Sequence, residues 1–296
     1  MKYLIYIFDL SLNYFKTYLS AFKYKNDIFV QENYDEYLLK FLIKTRFFKN
    51  KFNDRYFLIH DIDEVYDEKR SSNFFFYHFS HFFVLHPSLE KKLKNRTQKK
   101  ITTIPFSVPT SDILKIRREI LSKKKSDKVT IGVTGNVHQE KKDYLHILSI
   151  FRNLDPSSYE LIFIGKVLQD FIIEFAIKNK VNLQYFVDYV GNGEFDSLVL
   201  SCDYLLTYQQ IDNVYRQRKT TGIIFDSLKY GVPLLSNDLE ISFDYVQTIY
   251  YKSDFDLELI LTNFSRRDYL DKYGNKALNF SWNYLENTSI SNCFFD

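Results

Sequence analysis

Along the second half of the chain, short apolar runs alternate with longer stretches whose apolar positions recur every three or four residues. The runs VTIGVT (129–134), ELIFI (160–164), NLQYFV (182–187), DYLLT (203–207), VPLLS (232–236) and QTIYY (247–251) predict strands, because branched and aliphatic residues bounded by turn signals suit strands covered on both faces. Segments 142–154, 168–179, 194–201, 221–230 and 254–263 carry the helical period. Strand and helix in strict alternation predict a parallel βαβ sheet, hence a doubly wound α/β domain.

The first half has the same alternation in blunter form. MKYLIYIF, NDIFV, RYFLIH, FFVLH and ITTIPF predict strands, separated by helical or loop segments such as 35–48. All glycines lie at or after Gly132, so this half predicts a short, glycine-poor Rossmann-like domain. Pro105 and Pro109, then a charged amphipathic stretch and the polar SKKKSDK run, mark a boundary: residues 1–108 form one domain, 109–128 a linker, and 129–275 a second domain.

A length of 296 residues agrees with two domains, each able to bury its own core. A 45% hydrophobic content excludes wholesale disorder, and the excess of Phe and Tyr reads as coding bias. Cys202 and Cys293 stand far apart without ligand spacing, which argues against a disulfide framework or zinc site and for a reducing compartment. Asp9 interrupts the apolar start, and no window approaches 18 uncharged apolar residues; a cytoplasmic, non-spanning protein is expected.

The net charge of +3 is unevenly placed. Lys91, Lys92, Lys94, Arg96, Lys99, Lys100, Lys115, Arg117, Arg118, Lys123, Lys124 and Lys125 face only Asp112 and Glu119 within 91–125, which predicts an anionic partner surface. Phe106 is the one aromatic within the run, so aromatics do not interleave its cations, which speaks against nucleic acid.

The stretch RQRKTTGIIFDSLKYGVPLLS (216–236) places Arg216, Arg218 and Lys219 ahead of a helix that stops at Gly231-Val232-Pro233. A helix N-terminus is already electropositive, so cations gathered there predict a bound anion such as phosphate.

Read in order, VTIGVTGNVHQEKKDYLHILSIF, YELIFIGK, YVGNGEFDSLVLSCDYLLTYQ and TTGIIFDSLKYGVPLLS resemble the nucleotide-sugar-binding half of GT-B glycosyltransferases, particularly the large retaining family that builds bacterial glycans. FLIHDID and ITTIPFSV are similar to the acceptor domain's His-ending strand and the strand entering the linker. FSWNYLENTSIS resembles the final helix, so 276–296 are expected to cross back to the first domain. The resemblance implies two Rossmann-like domains facing each other.

It also implies roles. Asp226 stands at the second Glu of the family's Glu-x7-Glu pair and would accept the ribose hydroxyls, while Arg218 replaces the first Glu. Arg218, Lys219, Thr220, Thr221 and Gly222 would meet the diphosphate. After Gly135, Asn136 stands where relatives carry Arg, and Lys142 keeps the family's cation for the leaving nucleoside diphosphate. Tyr189 or Val190 would line the base, and His60 and Asp61 would serve the donor sugar or reacting centre. His78, His81 and His86 are assigned to packing or surface.

The expected activity is transfer of a sugar from a nucleoside-diphosphate donor to a hydroxyl of a glycan or lipid-linked acceptor, without a metal or other cofactor, in surface polysaccharide synthesis. The acceptor would bring the protein to the inner face of an anionic membrane. Alternatives are a non-catalytic glycosyltransferase-like subunit that binds a sugar nucleotide or a partner enzyme, and a sugar-nucleotide epimerase on the same fold. Asp61-x-Asp63 has the spacing of a GT-A metal site, but the phosphate signals follow it instead of preceding it.

Overall fold

The structure, a computed structural model, describes residues 27–31, 54–59, 79–85, 87–95, 97–103, 107–123, 128–140, 142–208, 222–237, 248–263 and 270–287. The chain divides into two compact units, Met1–Ile104 and Pro105–Asp296.

In the first unit, β1 (Asp27–Gln31), β2 (Asp54–Ile59), β3 (His81–Val84) and β4 (Lys100–Thr103) form a parallel sheet in sequential order. Helix α1 (Pro87–Lys94) joins β3 to β4. The sheet is buried at Ile59, Phe82, Phe83 and Val84, and Leu89 and Leu93 of α1 are buried too. His81 is buried as well: its Nε2 lies 2.8 Å from Thr102 Oγ1 and its ring stacks on Phe83. Its assignment to packing agrees with that setting.

The second unit opens with α2 (Ser111–Lys123) and continues as β5 (Val129–Thr134), α3 (Tyr144–Phe151), β6 (Tyr159–Lys166), α4 (Asp170–Lys178), β7 (Leu183–Phe186), α5 (Asn192–Ser201), β8 (Tyr204–Thr207), α6 (Gly222–Tyr230), β9 (Leu234–Ser236), β10 (Thr248–Tyr250) and α7 (Asp254–Asn263). A π-helical turn, Leu270–Gly274, leads into α8 (Asn275–Asn287). The strands lie parallel in the order β10-β9-β8-β5-β6-β7. From β5 the chain winds outward to β7, then returns to the other side of β5 at β8. This is the doubly wound Rossmann order, with its switch point between β5 and β8.

The six strands read from apolar runs in the second half are present, within two residues of their expected ends, while MKYLIYIF of the first half lies outside the described residues. β8 is buried at every position, as a strand covered on both faces must be. One face packs α3, α4 and α7 through Ile147, Leu148, Phe151, Ile172, Ala176 and Leu257. The other packs α5 and α6 through Val199, Leu200, Ile223, Ile224 and Leu228.

Residues 109–128 are more than a linker. Within them α2 buries Leu114 and Leu121 in the second unit's core, and α8 packs against α2 and α6. Arg117 is 1% exposed and donates from Nη1 to Leu200 O at 2.6 Å and Cys202 O at 2.8 Å, satisfying carbonyls at the end of α5. It therefore leaves the expected cationic surface. The remaining described cations divide between the two units, with Lys91, Lys92, Lys94, Lys99 and Lys100 in the first and Lys115, Arg118 and Lys123 in the second. Lys94, Lys115 and Lys123 pair with Glu90, Asp112 and Glu119, and Arg118 lies 5.4 Å over the Trp282 ring.

Candidate functional site

The carboxyl ends of β5 and β8 flank the switch point, where open α/β sheets receive ligands. β5 ends at buried Thr134. Gly135 then takes φ +98°, a left-handed conformation that costs glycine little. The turn is fastened to β6: Gly135 N donates to Ile164 O at 3.1 Å, and Val137 N to Lys166 O at 2.9 Å. β6 can approach this closely because its own residue there is Gly165, where a Cβ would lie 2.4 Å from Gly135 O.

Lys142 comes back toward β5 from the loop before α3. That loop is braced at several points. Gln139 N donates to Gln169 Oε1 at 2.7 Å, Gln139 Nε2 donates to Asp143 Oδ1 at 2.6 Å, and Gln139 Oε1 accepts from Leu145 N at 3.1 Å. Asp143 caps α3 by accepting from His146 N at 3.0 Å. So held, Lys142 Nζ donates to Thr134 O at 2.7 Å. Burial draws its pKa down to about 8, against the opposing pull of Asp226.

Asp226 enters from α6, one turn past its first residue, Gly222. Its Oδ2 accepts from Thr134 Oγ1 at 2.7 Å. Burial raises the carboxyl's pKa; the Thr134 hydrogen bond and the charges of Lys142 and Lys229 oppose the rise, while Asp196 adds to it. α6 ends where the sequence expects: Gly231 takes φ +62° and Val232 N donates to Ser227 O at 3.1 Å, the six-to-one bond of a Schellman turn.

The structure thus brings Lys142 and Asp226 together on Thr134, beside Gly135 and Asn136. Asn136 is half-buried and its carbonyl accepts from Tyr144 OH at 3.3 Å. Tyr189 and Val190 lie in the stretch between β7 and α5; Tyr189 is 72% exposed and its ring sits 5.2 Å below Lys166 Nζ. Arg216, Arg218, Lys219, Thr220 and Thr221 lie outside the described residues, as do His60, Asp61 and Asp63.

Sequence reasoning missed a second polar group at this end of the sheet. His146 Nε2 lies 2.8 Å from Asp254 Oδ1 at the start of α7, and its ring stacks on Tyr208 just past β8. Burial raises the Tyr208 pKa, with Asp254 and Asp143 adding to the rise. The available signal was spacing, since His146 follows Lys142 by four positions; its partner lies 108 residues away and left none. Among the described residues, no cluster of three His, Cys, Asp or Glu is arranged to hold a metal ion. Among them, too, no helix is long and apolar enough to cross a membrane.

No protein-family model matches the sequence, and no curated protein is similar to it by sequence. Solved structures are similar in fold. One is Alr3699/HepE of Anabaena in complex with UDP and glucose, at TM-score 0.62 and 13% identity over 94% of this chain and 78% of that one. Sucrose-phosphate synthase of Thermosynechococcus elongatus gives 0.55 and 11% over 92% and 73%. The glycosylation-associated Gap123 complex of Streptococcus agalactiae gives 0.57 and 9% over 94% of this chain and 55% of that one. The chain has the fold of the GT-B glycosyltransferases.

Proposed function

We propose that the protein transfers a glycosyl group from a nucleoside-diphosphate sugar to a hydroxyl of a glycan or lipid-linked acceptor. The observation that carries this reading is the meeting of Lys142 and Asp226 on Thr134 at the switch point of a Rossmann unit. An ammonium has three N–H donors, and Thr134 O takes one, leaving others for a diphosphate. As the donor's glycosidic bond breaks, negative charge grows on the departing diphosphate; a partly desolvated cation stabilises it more than one in open water. Asp226 suits the ribose hydroxyls, and Gly222 offers the backbone N–H of a helix start. The complexes of HepE with UDP and glucose, and with UDP-glucose, support a donor of this class.

Lys142 and the α6 N-terminus take the diphosphate charge in this reading, so transfer is independent of divalent metal. His60 and Asp61 serve the donor sugar or the reacting centre. Exposed Lys91, Lys94, Lys99 and Lys100 supply attraction to an anionic leaflet, at about 1 kcal/mol for each cation near the surface.

A second reading, a sugar-nucleotide-binding subunit without turnover, is favoured by Asn136 and Arg218 in place of the family's Arg and Glu, and by the likeness to the Gap123 complex. The deciding experiment is differential scanning fluorimetry with UDP-, GDP-, ADP- and dTDP-sugars, followed by donor hydrolysis and transfer assays in EDTA. One donor is expected to raise the melting temperature, since ligand at 100 times its Kd adds about 2.7 kcal/mol. A flat response to all four rejects the site; a shift without turnover selects the subunit.

A further inference from the structure

Asp226 does not stand alone on α6. Three positions on, and so on the same helical face, is Lys229; Tyr230 follows. Lys229 Nζ donates to Tyr230 OH at 2.6 Å and to Asp196 Oδ1 of α5 at 3.2 Å, and it rides 4.5 Å above the Tyr230 ring. Tyr230, fully buried, donates its own hydroxyl to the same Asp196 oxygen. Lysine, tyrosine and aspartate close a triangle in which the flexible lysine is gripped by a hydrogen bond, an ion pair and an aromatic face.

Such a grip at the back of a ligand carboxylate has an electrostatic purpose. If Lys142 turns to a diphosphate, its charge is shared with phosphate oxygens, and the arriving negative charge disfavours a carboxylate at Asp226. A protonated Asp226 would have lost half its capacity to accept two ribose hydroxyls. A cation is needed that no phosphate can claim, and Lys229 is already held by Asp196 and Tyr230.

We infer that Lys229 is a positioning residue for Asp226: clamped by Asp196 and Tyr230, it supplies the second cation beside the carboxylate and keeps it an acceptor while ligand is bound. The inference rests on the nucleotide-sugar reading of this site. Among the described residues, the charged groups that act on Asp226 are Lys142 from the β5–α3 loop, Asp196 from α5 and Lys229 from α6 itself, with the Tyr230 hydroxyl beside them. β5 contributes the Thr134 hydroxyl; α2 and α8 bring Ile113, Ile120, Phe280 and Tyr284 to the core that contains α6. Lys229 and Asp196 act on Asp226 with opposite sign, Lys229 favouring the carboxylate and Asp196 opposing it.

The test follows the Asp226 carboxyl by carbon NMR in aspartate-labelled full-length protein, its signal assigned with Asp226→Asn. Lys229→Met keeps the stem over the Tyr230 ring and removes the charge; the Asp226 titration midpoint is expected to move up by about one pH unit. Lys229→Arg is expected to restore the parent midpoint, and Asp196→Asn, which removes the competing anion, to move it down. UDP affinity of Lys229→Met is expected to fall more steeply with falling pH than the parent's, to about tenfold lower once pH is below both Asp226 midpoints, because one unit of midpoint is a factor of ten. An unchanged midpoint in folded Lys229→Met, or in Asp196→Asn should the first variant not fold, overturns the inference. If the parent binds none of UDP, ADP, GDP or dTDP, the nucleotide reading fails instead, and the carboxyl titration still decides whether Lys229 governs Asp226.

Discussion

Two corners of the second unit face the same end of its sheet and are built in opposite ways. At the Lys142 corner, backbone turn, lysine and carboxylate are joined through Thr134, and the loop that carries the lysine is braced by Gln139 and Asp143. At the Tyr189 corner an aromatic ring stands largely in solvent beneath Lys166. Preorganised charge is what a diphosphate requires, since donors aligned before binding need no reorganisation during reaction. An exposed ring imposes a flat surface and little else. Under the proposed function, the contrast assigns the invariant part of a sugar nucleotide to the rigid corner and the part that differs between donors to the open one.

The contrast breaks most completely at Gly165. Any side chain there drives a Cβ into the Gly135 carbonyl, so Gly165→Val is expected to abolish nucleotide binding and lower the melting temperature by about 3–10 °C, an overpacking cost of 1–3 kcal/mol. Gly193→Ala, where the added Cβ meets open space, is the control and should melt like the parent. Equal melting of the two variants would show that the β5 turn is not fixed by β6.

Next in size are the charged groups. Lys142→Ala and Asp226→Ala are each expected to weaken UDP binding, measured by calorimetry, by about ten- to a hundred-fold, the worth of one charge-assisted hydrogen bond. Lys142 also sets a pH dependence: binding should weaken about tenfold as pH rises from 7 to 9 and the ammonium loses its proton near 8. The sign for stability is opposite. A lysine whose folded pKa is depressed contributes stability above its unfolded value near 10.5, and loses it as pH falls through about 8. Alkaline loss of affinity without a lower melting temperature therefore marks titration at the site; an affinity flat to pH 9.5 removes Lys142 from it.

The smallest effect belongs to the open corner. Tyr189→Ala is expected to weaken binding by only about two- to ten-fold, the range of one aromatic contact, and to change the ranking of UDP, GDP and ADP more than the affinity of the best of them. A uniform loss across all three, as large as that of Lys142→Ala, would erase the distinction between the corners.

Much of this was legible along the chain. VTIGVT and YELIFIG announce β5 and β6 because both faces of a central parallel strand are covered, and Gly231-Val232-Pro233 announces the end of α6 because glycine takes φ +62° at the least cost. Lys142 and Asp226 were legible from their places in a familiar order of segments. What joins them was not: Thr134 offers a backbone carbonyl and a hydroxyl, groups that nearly every strand end has. Arg117 was misread because it sits between Lys115 and Arg118, and a buried cation looks like its exposed neighbours until the carbonyls of Leu200 and Cys202 are in place. The Lys229 triangle was hidden for the same reason, since Asp196 comes 33 residues earlier on another helix.

The packing of α8 has a consequence for how the protein is made. At the Gly231 turn, a Cβ would meet both Leu114 of α2 and Leu278 of α8, residues more than half of the chain's 296 positions apart. A ribosome therefore delivers α2 long before the helix that covers it. Until α8 emerges, the nascent unit carries an uncovered apolar stripe over its finished sheet, the kind of surface that recruits chaperones and seeds aggregation. Ribosome-bound chains that stop short of residue 275 should sit in the cell as clients, and emergence of α8 should free them.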